Sequence, residues 1–215
     1  MPPSRRGLPG IWLTRGGTEA VARWAARGVV PLHVIPLPGW TAVLPAGESR
    51  AAAPYDACLP ILAARPMPHR MRPALGFFVM DGMGVVSVRH RGRSSARFVV
   101  WAPGSGLMRS PGLAVAAPAD LVRVAGGRGR RGPDRDEAQA EVRALLRSPQ
   151  GTPKELLHRV LAVLGLPGRR LLDGADPAES APGAVTVEPD RRTVERLDRT
   201  AHEEISLRTE LGSDR

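Results

Sequence analysis

The segment ALGFFVMDGMGVVSVRHRGRSSARFVVW, residues 74–101, decides the fold that the sequence predicts. It holds every phenylalanine of the chain and three apolar runs, at Phe77–Met80, Val85–Val88 and Phe98–Trp101. Asp81-Gly82 separates the first two runs and is a strong signal for a two-residue hairpin turn, whereas a polar loop follows the second run. We therefore predict three consecutive antiparallel strands, on which the rest of the chain packs.

Further helices and strands are predicted on both sides of this meander. The helices are expected at residues 19–27, 55–64, 118–125, 133–147 and 153–164, and a hairpin is expected from strands at 32–35 and 40–44. The last helix has the clearest start, because Thr152 to Glu155 forms a capping box with a proline at the first helical position. The order α-β-β-α-β-β-β-α, followed by two helices, predicts an α+β fold with an antiparallel sheet of about five strands.

Composition divides the chain into three parts. We predict an N-terminal arm at residues 1–15, a single α+β domain at 16–172 and a flexible acidic tail at 173–215. Residues 173–189 are rich in Pro, Ala, Gly and Asp, which is typical of an unfolded segment. Residues 190–211 have the pattern of a charged helix with a thin apolar stripe, which docks on the domain, pairs with another copy or stays disordered.

Charge is unevenly distributed along the chain. Residues 1–132 carry 18 arginines and 5 acidic residues, whereas residues 176–215 carry 6 arginines and 10 acidic residues. A basic body and an acidic tail indicate an anionic partner, or a tail that folds back on the body. Lys154 is the single lysine, so arginine is the default cation of this chain, and one arginine alone is weak evidence for a binding role.

The candidate binding residues are arginines in two stretches of sequence. Arg89, Arg91, Arg93 and Arg97 lie on or beside the loop between the second and third strands of the meander, and Arg65, Arg70 and Arg72 precede its first strand. A third cluster is Arg128, Arg130 and Arg131. These side chains suit an anionic partner. Aromatic residues are not interleaved with them, so the stacking platform of single-strand nucleic-acid binders is missing.

Motifs for catalysis, cofactors or metals are not found. Gly127–Gly132 matches a dinucleotide-binding fingerprint by letter but lacks the preceding strand, and the histidines have no i,i+4 partner for a metal. Cys58, the single cysteine, excludes an internal disulfide and is consistent with a reducing cytoplasm. We therefore predict no cofactor, no metal and no catalytic residue. If the site of an enzyme were assembled from distant residues, His33 with Asp56 and His90 with Ser87 would be the first pairs to inspect.

Membrane insertion is not expected. Residues 28–47 are uncharged, but four prolines would interrupt a spanning helix repeatedly. Two strands around a Pro38-Gly39 turn fit this stretch better.

Two features of the sequence resemble known proteins. The element order over residues 18–125 resembles the profilin-like and roadblock-like small domains, and Met71–Phe78 in its GC-rich context resembles sequences of actinobacterial type. They imply an α+β fold and transfer no site residues. We predict a non-enzymatic cytoplasmic binding or adaptor protein, whose arginine-rich face engages an acidic protein, its own acidic tail or nucleic acid, in that order. The alternatives are an enzyme with a site from distant residues and a structural subunit that assembles through residues 190–211.

Overall fold

The computed structural model describes residues 10–92, 95–126, 133–174 and 176–213, and it places the side chains of all of these except 133 and 204–213. The strands are β1 Gly10–Thr14, β2 Leu32–Leu37, β3 Trp40–Pro45, β4 Ala74–Met80, β5 Met83–Arg89, β6 Arg97–Ala102, β7 Gly106–Met108 and β8 Val185–Val187. The helices are α1 Thr18–Ala26, α2 Cys58–Ala64, α3 Pro118–Gly126, α4 Pro133–Arg147, α5 Pro153–Val163, α6 Arg169–Leu172 and α7 Arg191–Ser213.

The strands form one antiparallel sheet of eight strands in the order β7-β6-β5-β4-β1-β3-β2-β8. The predicted meander is β4, β5 and β6, with Phe77 opposite Val86 and Val86 opposite Val99. The pairing of β4 with β5 is the longest among the described strands. At the β4–β5 turn, Asp81 and Gly82 both adopt positive φ, at 50° and 73°, as a type I′ hairpin turn requires. The three strands thus follow from a local signal, and they set the position of the loop between β5 and β6.

Helices cover both faces of the sheet. Ile11, Leu13, Val86 and Trp101 belong to the core under α3, α4, α5 and α6, whereas Trp12, Phe78 and Val100 belong to the core under α1 and α2. Successive residues of β1 point to opposite faces, so this strand is buried on both sides. The result is a three-layer α+β domain, which confirms the predicted fold class.

Eight strands are present where about five were predicted, and this part of the prediction was wrong. The three additional strands are short: β1 has five residues, and β7 and β8 have three each. β1 lies within the segment assigned to the N-terminal arm. It pairs with β3 and β4, and its sequence GIWLT lacks the polar alternation that marks a half-buried strand.

The C-terminal segment packs on the domain as far as its side chains are described. β8 pairs with β2, and Val194 and Leu197 of α7 pack against the core under α1 and α2. Ala201 is buried, and the Asp198 carboxylate accepts a hydrogen bond from the Ala52 N–H at 2.8 Å.

Local signals explain several helix boundaries. The capping box of α5 is formed, with Glu155 N–H donating to Thr152 Oγ1 at 3.2 Å and Thr152 N–H donating to Glu155 Oε2 at 2.8 Å. α2 begins at Cys58, which places Pro60 in its first turn, where a missing N–H costs little. Within the described residues, no helix has the length and apolar character needed to cross a membrane.

Candidate cationic binding site

Both predicted arginine stretches lie at the same end of the sheet. Arg89 ends β5 opposite Ala74, the first residue of β4, and Arg97 begins β6 opposite Val88. The segment from Arg65 to Arg72 leads directly into β4 and therefore reaches the same end. We call this region, with Arg65, Arg70, Arg72, Arg89, Arg91, Arg97 and Arg123, the cationic end of the sheet.

Arg89 is the innermost cation of this region, with only 5% of its surface exposed. Its Nη2 donates to the carbonyl oxygens of Ala63, Ala64 and Arg65, at 3.0, 3.0 and 3.2 Å. These carbonyls end helix α2, where helical partners are missing and the helix dipole favours a cation. Burial, and then the nearby charge of Arg72, lower the pKa of Arg89 to about 10, so it stays charged at neutral pH. Arg89 thus caps α2.

Arg65 and Arg72 also donate to the backbone. Arg65 donates to the carbonyl of Trp24 near the end of α1, and its guanidinium lies 4.0 Å above the Trp24 ring. Burial lowers the pKa of Arg65 to about 10. Arg72 Nε donates to the carbonyl of Met67 at 2.9 Å, which fixes the connector before β4. These contacts give both residues a role in holding the domain together.

A buried carboxylate, Asp120, anchors the outer cations. Its Oδ2 lies 3.2 Å from Arg97 Nη1, and its Oδ1 lies 3.3 Å from His90 Nε2 and 3.9 Å from Arg123 Nη1. Oδ2 also accepts a hydrogen bond from the Ala117 N–H at 3.0 Å, at the start of α3. Burial would raise the pKa of Asp120, but this hydrogen bond and the charges of His90 and Arg97 outweigh burial and lower it. One carboxylate therefore faces up to three cations.

The exposed cations of this region are left to solvent. Arg70 and Arg91 are exposed, as is Arg109 directly after β7, and none has an ion-pair partner among the described residues. Between residues 57 and 120 the sequence has eight arginines and two acidic residues: Asp81 lies in the turn at the other end of the β4–β5 hairpin, and Asp120 already faces Arg97. This stretch therefore carries an excess of positive charge, and such an excess attracts anionic groups.

Some predicted residues lie outside the described part of the chain. Arg93 and the third cluster, Arg128, Arg130 and Arg131, are among them, and so is the Gly127–Gly132 motif. For the other candidates the contacts divide the set into two groups: Arg65, Arg72, Arg89 and Arg97 bind groups of this chain, and Arg70 and Arg91 face solvent. Arg109 and Arg123 were not singled out from the sequence, because only the fold brings β7 and α3 beside the β5–β6 hairpin.

His33, Ser87 and His90 each have a described contact outside the pairs considered for an enzyme. His33 Nδ1 lies 3.0 Å from Thr186 Oγ1 of β8, and Ser87 Oγ donates to the Ala63 carbonyl at 3.3 Å. His90 faces Asp120 instead, and both are nearly fully buried. Burial, with a smaller effect of Glu48, raises the pKa of Cys58 to about 12, so its thiol stays protonated. Within the described ranges, no three His, Cys, Asp or Glu side chains gather in a way that suits a metal ion.

An open groove of about 460 Å³ lies along α4 and α5, lined by Leu145, Gln150, His158, Arg159 and Arg169 among others. Beside it, Asp173 Oδ1 lies 2.9 Å from His158 Nε2 and 3.1 Å from Lys154 Nζ. Burial, Lys154 and Arg169 hold the pKa of His158 below its usual value in spite of Asp173. Lys154 and His158 join α5 to Asp173 at the end of α6, and the predicted arginines are not among the residues that line the groove.

Comparisons with protein-family models, curated protein sequences and solved structures found no match to this chain. Arguments about its function therefore depend on the side chains and contacts described above.

Proposed function

We propose that this protein is a non-enzymatic binding protein, which holds an acidic segment of another protein at the cationic end of its sheet. The observation that carries the proposal is that Arg70 and Arg91 at this end, and Arg109 after β7, are exposed and have no ion-pair partner among the described residues, while Asp120 already faces Arg97, His90 and Arg123. Surface arginines that meet carboxylates contribute orientation and association rate as well as affinity.

The chain's own tail is a weaker candidate for this site. The described contacts of the acidic tail are made elsewhere: Glu188 pairs with Arg50, Asp198 binds the Ala52 N–H, and the Asp190 N–H donates to the Ala26 carbonyl. These contacts lie near α1 and β3, so the carboxylates of Glu188 and Asp198 are engaged away from the cationic end. An external acidic partner explains the exposed arginines better.

Nucleic acid is the other anionic candidate from the sequence. Single-stranded nucleic acid is usually held by aromatic rings that stack on its bases. The aromatic rings beside these cations are buried or partly buried: Arg65 lies over Trp24 at 4.0 Å, and Arg89 lies 5.6 Å from the ring centre of Trp12 and 5.9 Å from that of Phe98. The neighbouring surface is aliphatic, and this composition favours a protein partner.

The test measures binding of a fluorescein-labelled peptide of eight glutamates by fluorescence anisotropy at several salt concentrations. The variant R70Q/R91Q/R109Q removes three exposed charges, and R143Q/R159Q/R192Q removes three exposed charges elsewhere. We expect the first variant to bind roughly tenfold more weakly and the second to bind much like the parent, because each exposed pair is worth about 0.2–1 kcal/mol. Equal weakening in both variants would mean that only net charge matters. Stronger salt-sensitive binding to oligothymidylate than to the peptide would favour nucleic acid.

A further inference from the structure

The segment after β6 exposes an unusual amount of apolar surface. Four of the five exposed large hydrophobic side chains among the described residues lie within residues 107–115: Leu107, Met108, Leu113 and Val115 are each between 39% and 44% exposed. Single exposed aliphatic residues are ordinary, but a cluster at one place marks an interaction site. We call these four residues the apolar edge.

The apolar edge lies along the last strand of the sheet. β7 is at one end of the strand order and pairs only with β6, through Leu107 opposite Trp101 and Met108 opposite Val100. The chain then returns to β6, with the Phe98 N–H donating to the Ala114 carbonyl at 2.7 Å and the Ala116 N–H donating to the Phe98 carbonyl at 2.8 Å. The other side of β7 has no neighbouring strand among the described residues, and such an edge is a template for a further strand.

The apolar edge is continuous with the cationic end. Phe98, which the 114–116 segment contacts, follows Arg97 directly, and a strand rises only about 3.3 Å per residue. Arg109 lies between Met108 and Leu113 in the sequence, and no acidic residue occurs between Asp81 and Asp120. A ligand that covers the aliphatic side chains therefore also meets guanidinium groups.

The opposite edge of the sheet has a different character. β8 exposes Val185, but Glu188 follows it and pairs with Arg50 at 3.1 Å, and the chain continues into α7. A second copy of this chain that joined in parallel at β7 would place its cationic end beside the other cationic end, and like charges across an interface oppose association. A copy that joined antiparallel would bring no carboxylate to Arg109 from β7, because β7 has no acidic residue. The charge pattern favours a partner that is both apolar and acidic.

We propose that an extended segment of the partner adds to β7 as a ninth strand, with aliphatic side chains against the apolar edge and carboxylates against Arg109 and the cationic end. This inference rests on the proposed function and specifies its ligand. Strand addition supplies main-chain hydrogen bonds, and alternate side chains of the added strand supply specificity. Leu107 is level with Trp101, whose side chain belongs to the core under α3–α6, and Met108 is level with Val100, which belongs to the opposite core. The added strand therefore meets apolar contacts on both faces of the sheet.

The test uses two labelled peptides with the same side chains, four Glu followed by four Val. In a strand added antiparallel to β7, the Glu residues lie toward the cationic end, and successive Val residues lie beside Leu107 and Met108 on the two faces of the sheet. The second peptide is N-methylated at every residue, which blocks main-chain pairing along both of its edges. We expect the unmethylated peptide to bind roughly tenfold more tightly than the methylated one.

The variant L107K/V115K separates the two proposals. It adds positive charge, which strengthens purely electrostatic binding of an acidic peptide, but it removes aliphatic surface and places charges on the edge, which blocks strand addition. Strand addition predicts that it binds the unmethylated peptide roughly tenfold more weakly, with an unchanged melting temperature because both positions are exposed.

Tighter binding by L107K/V115K, with no preference among the peptides, would overturn strand addition and leave the proposed function intact. If R70Q/R91Q/R109Q bound every peptide like the parent protein, the proposed function would fall. A concentration-dependent dimer that L107K/V115K dissolves, without any peptide binding, would assign the edge to a second copy and would also overturn the inference.

Discussion

Replacing Arg89 by methionine should destabilise the protein by about 3 kcal/mol, although Arg89 was first selected as a binding residue. Methionine retains much of the aliphatic stem but removes the guanidinium that reaches the carbonyls of Ala63, Ala64 and Arg65. Those carbonyls lie at the end of α2, where Ala63 and Arg89 are both buried and Ala64 is exposed. Removing the guanidinium takes the described side-chain donor from the Ala64 and Arg65 carbonyls, whereas the Ala63 carbonyl keeps the Ser87 hydroxyl.

The magnitude follows from these contacts. A hydrogen bond from a charged group contributes about 1.5–3 kcal/mol, and an acceptor left buried and unsatisfied costs about 1–3 kcal/mol. The favourable interaction of a cation with a helix C-terminus adds about 0.3–1 kcal/mol. Part of this loss in the free energy of unfolding is offset, because the methionine variant no longer buries a charge. The remaining loss of about 3 kcal/mol corresponds to a decrease in melting temperature of roughly 6–12 °C for a chain of this size.

Urea unfolding followed by tryptophan fluorescence measures this loss, because the Arg89 guanidinium lies 5.6 Å from the ring centre of Trp12. R91M is the matched control, since Arg91 is exposed two residues away and its replacement should change stability by at most about 0.5 kcal/mol. R89K should lie between the two, because an ammonium group keeps the charge without the planar fork. If R89M were as stable as R91M but lost peptide binding, Arg89 would be a ligand contact and the reasoning would be refuted.

Two further predictions concern the anchor carboxylate and the tail. D120N should lower stability at pH 7 by about 2 kcal/mol, because it removes the charge that faces Arg97 and His90. The pKa of Asp120 is lower in the folded protein than in the unfolded chain, so this contribution is present above about pH 4 and is lost as the pH falls further. The difference between parent and D120N in urea unfolding should therefore shrink at acidic pH, and a constant difference would contradict this account. A201E places a charge at a buried position of α7 and should speed trypsin cleavage in the tail, whereas T200E at the exposed neighbouring position should not. Equal cleavage rates for the two variants would show that Ala201 does not hold the helix.

Local patterns in the sequence were sufficient for the centre of the fold. The Asp81-Gly82 turn and the β-branched runs predicted β4, β5 and β6, and Thr152 and Glu155 predicted the start of α5. These signals depend on neighbours in the sequence, which a single chain reveals. They were enough to identify an antiparallel α+β fold.

The missed strands depend on distant partners. GIWLT becomes a strand because β3 and β4 pair with it on both sides. The five residues themselves have no pattern that indicates a strand, and the residues around them are rich in Gly and Arg. β7 and β8 have three residues each, too few to show a period of two. The sheet was therefore predicted with too few strands.

The arginines illustrate a second limit. Arg89 and Arg91 differ by two positions in the sequence, yet one caps α2 and the other faces solvent. The difference arises because the Arg89 side chain points to the face of the sheet where α2 ends, and the sequence does not show where α2 will pack. Nearly every cation of this chain is an arginine, so the sequence alone does not distinguish an arginine that caps a helix from one on the surface.

The central position of β1 has a consequence for how the sheet is assembled. β2 with β3, and β4 with β5 and β6, are pairs of strands adjacent in the chain, which form contacts at low entropic cost. Among the described strands, only β1 links the two groups by backbone pairing, through β3 on one side and β4 on the other. The strands of each group can pair independently of the other group, and β1 joins the two groups into one continuous sheet.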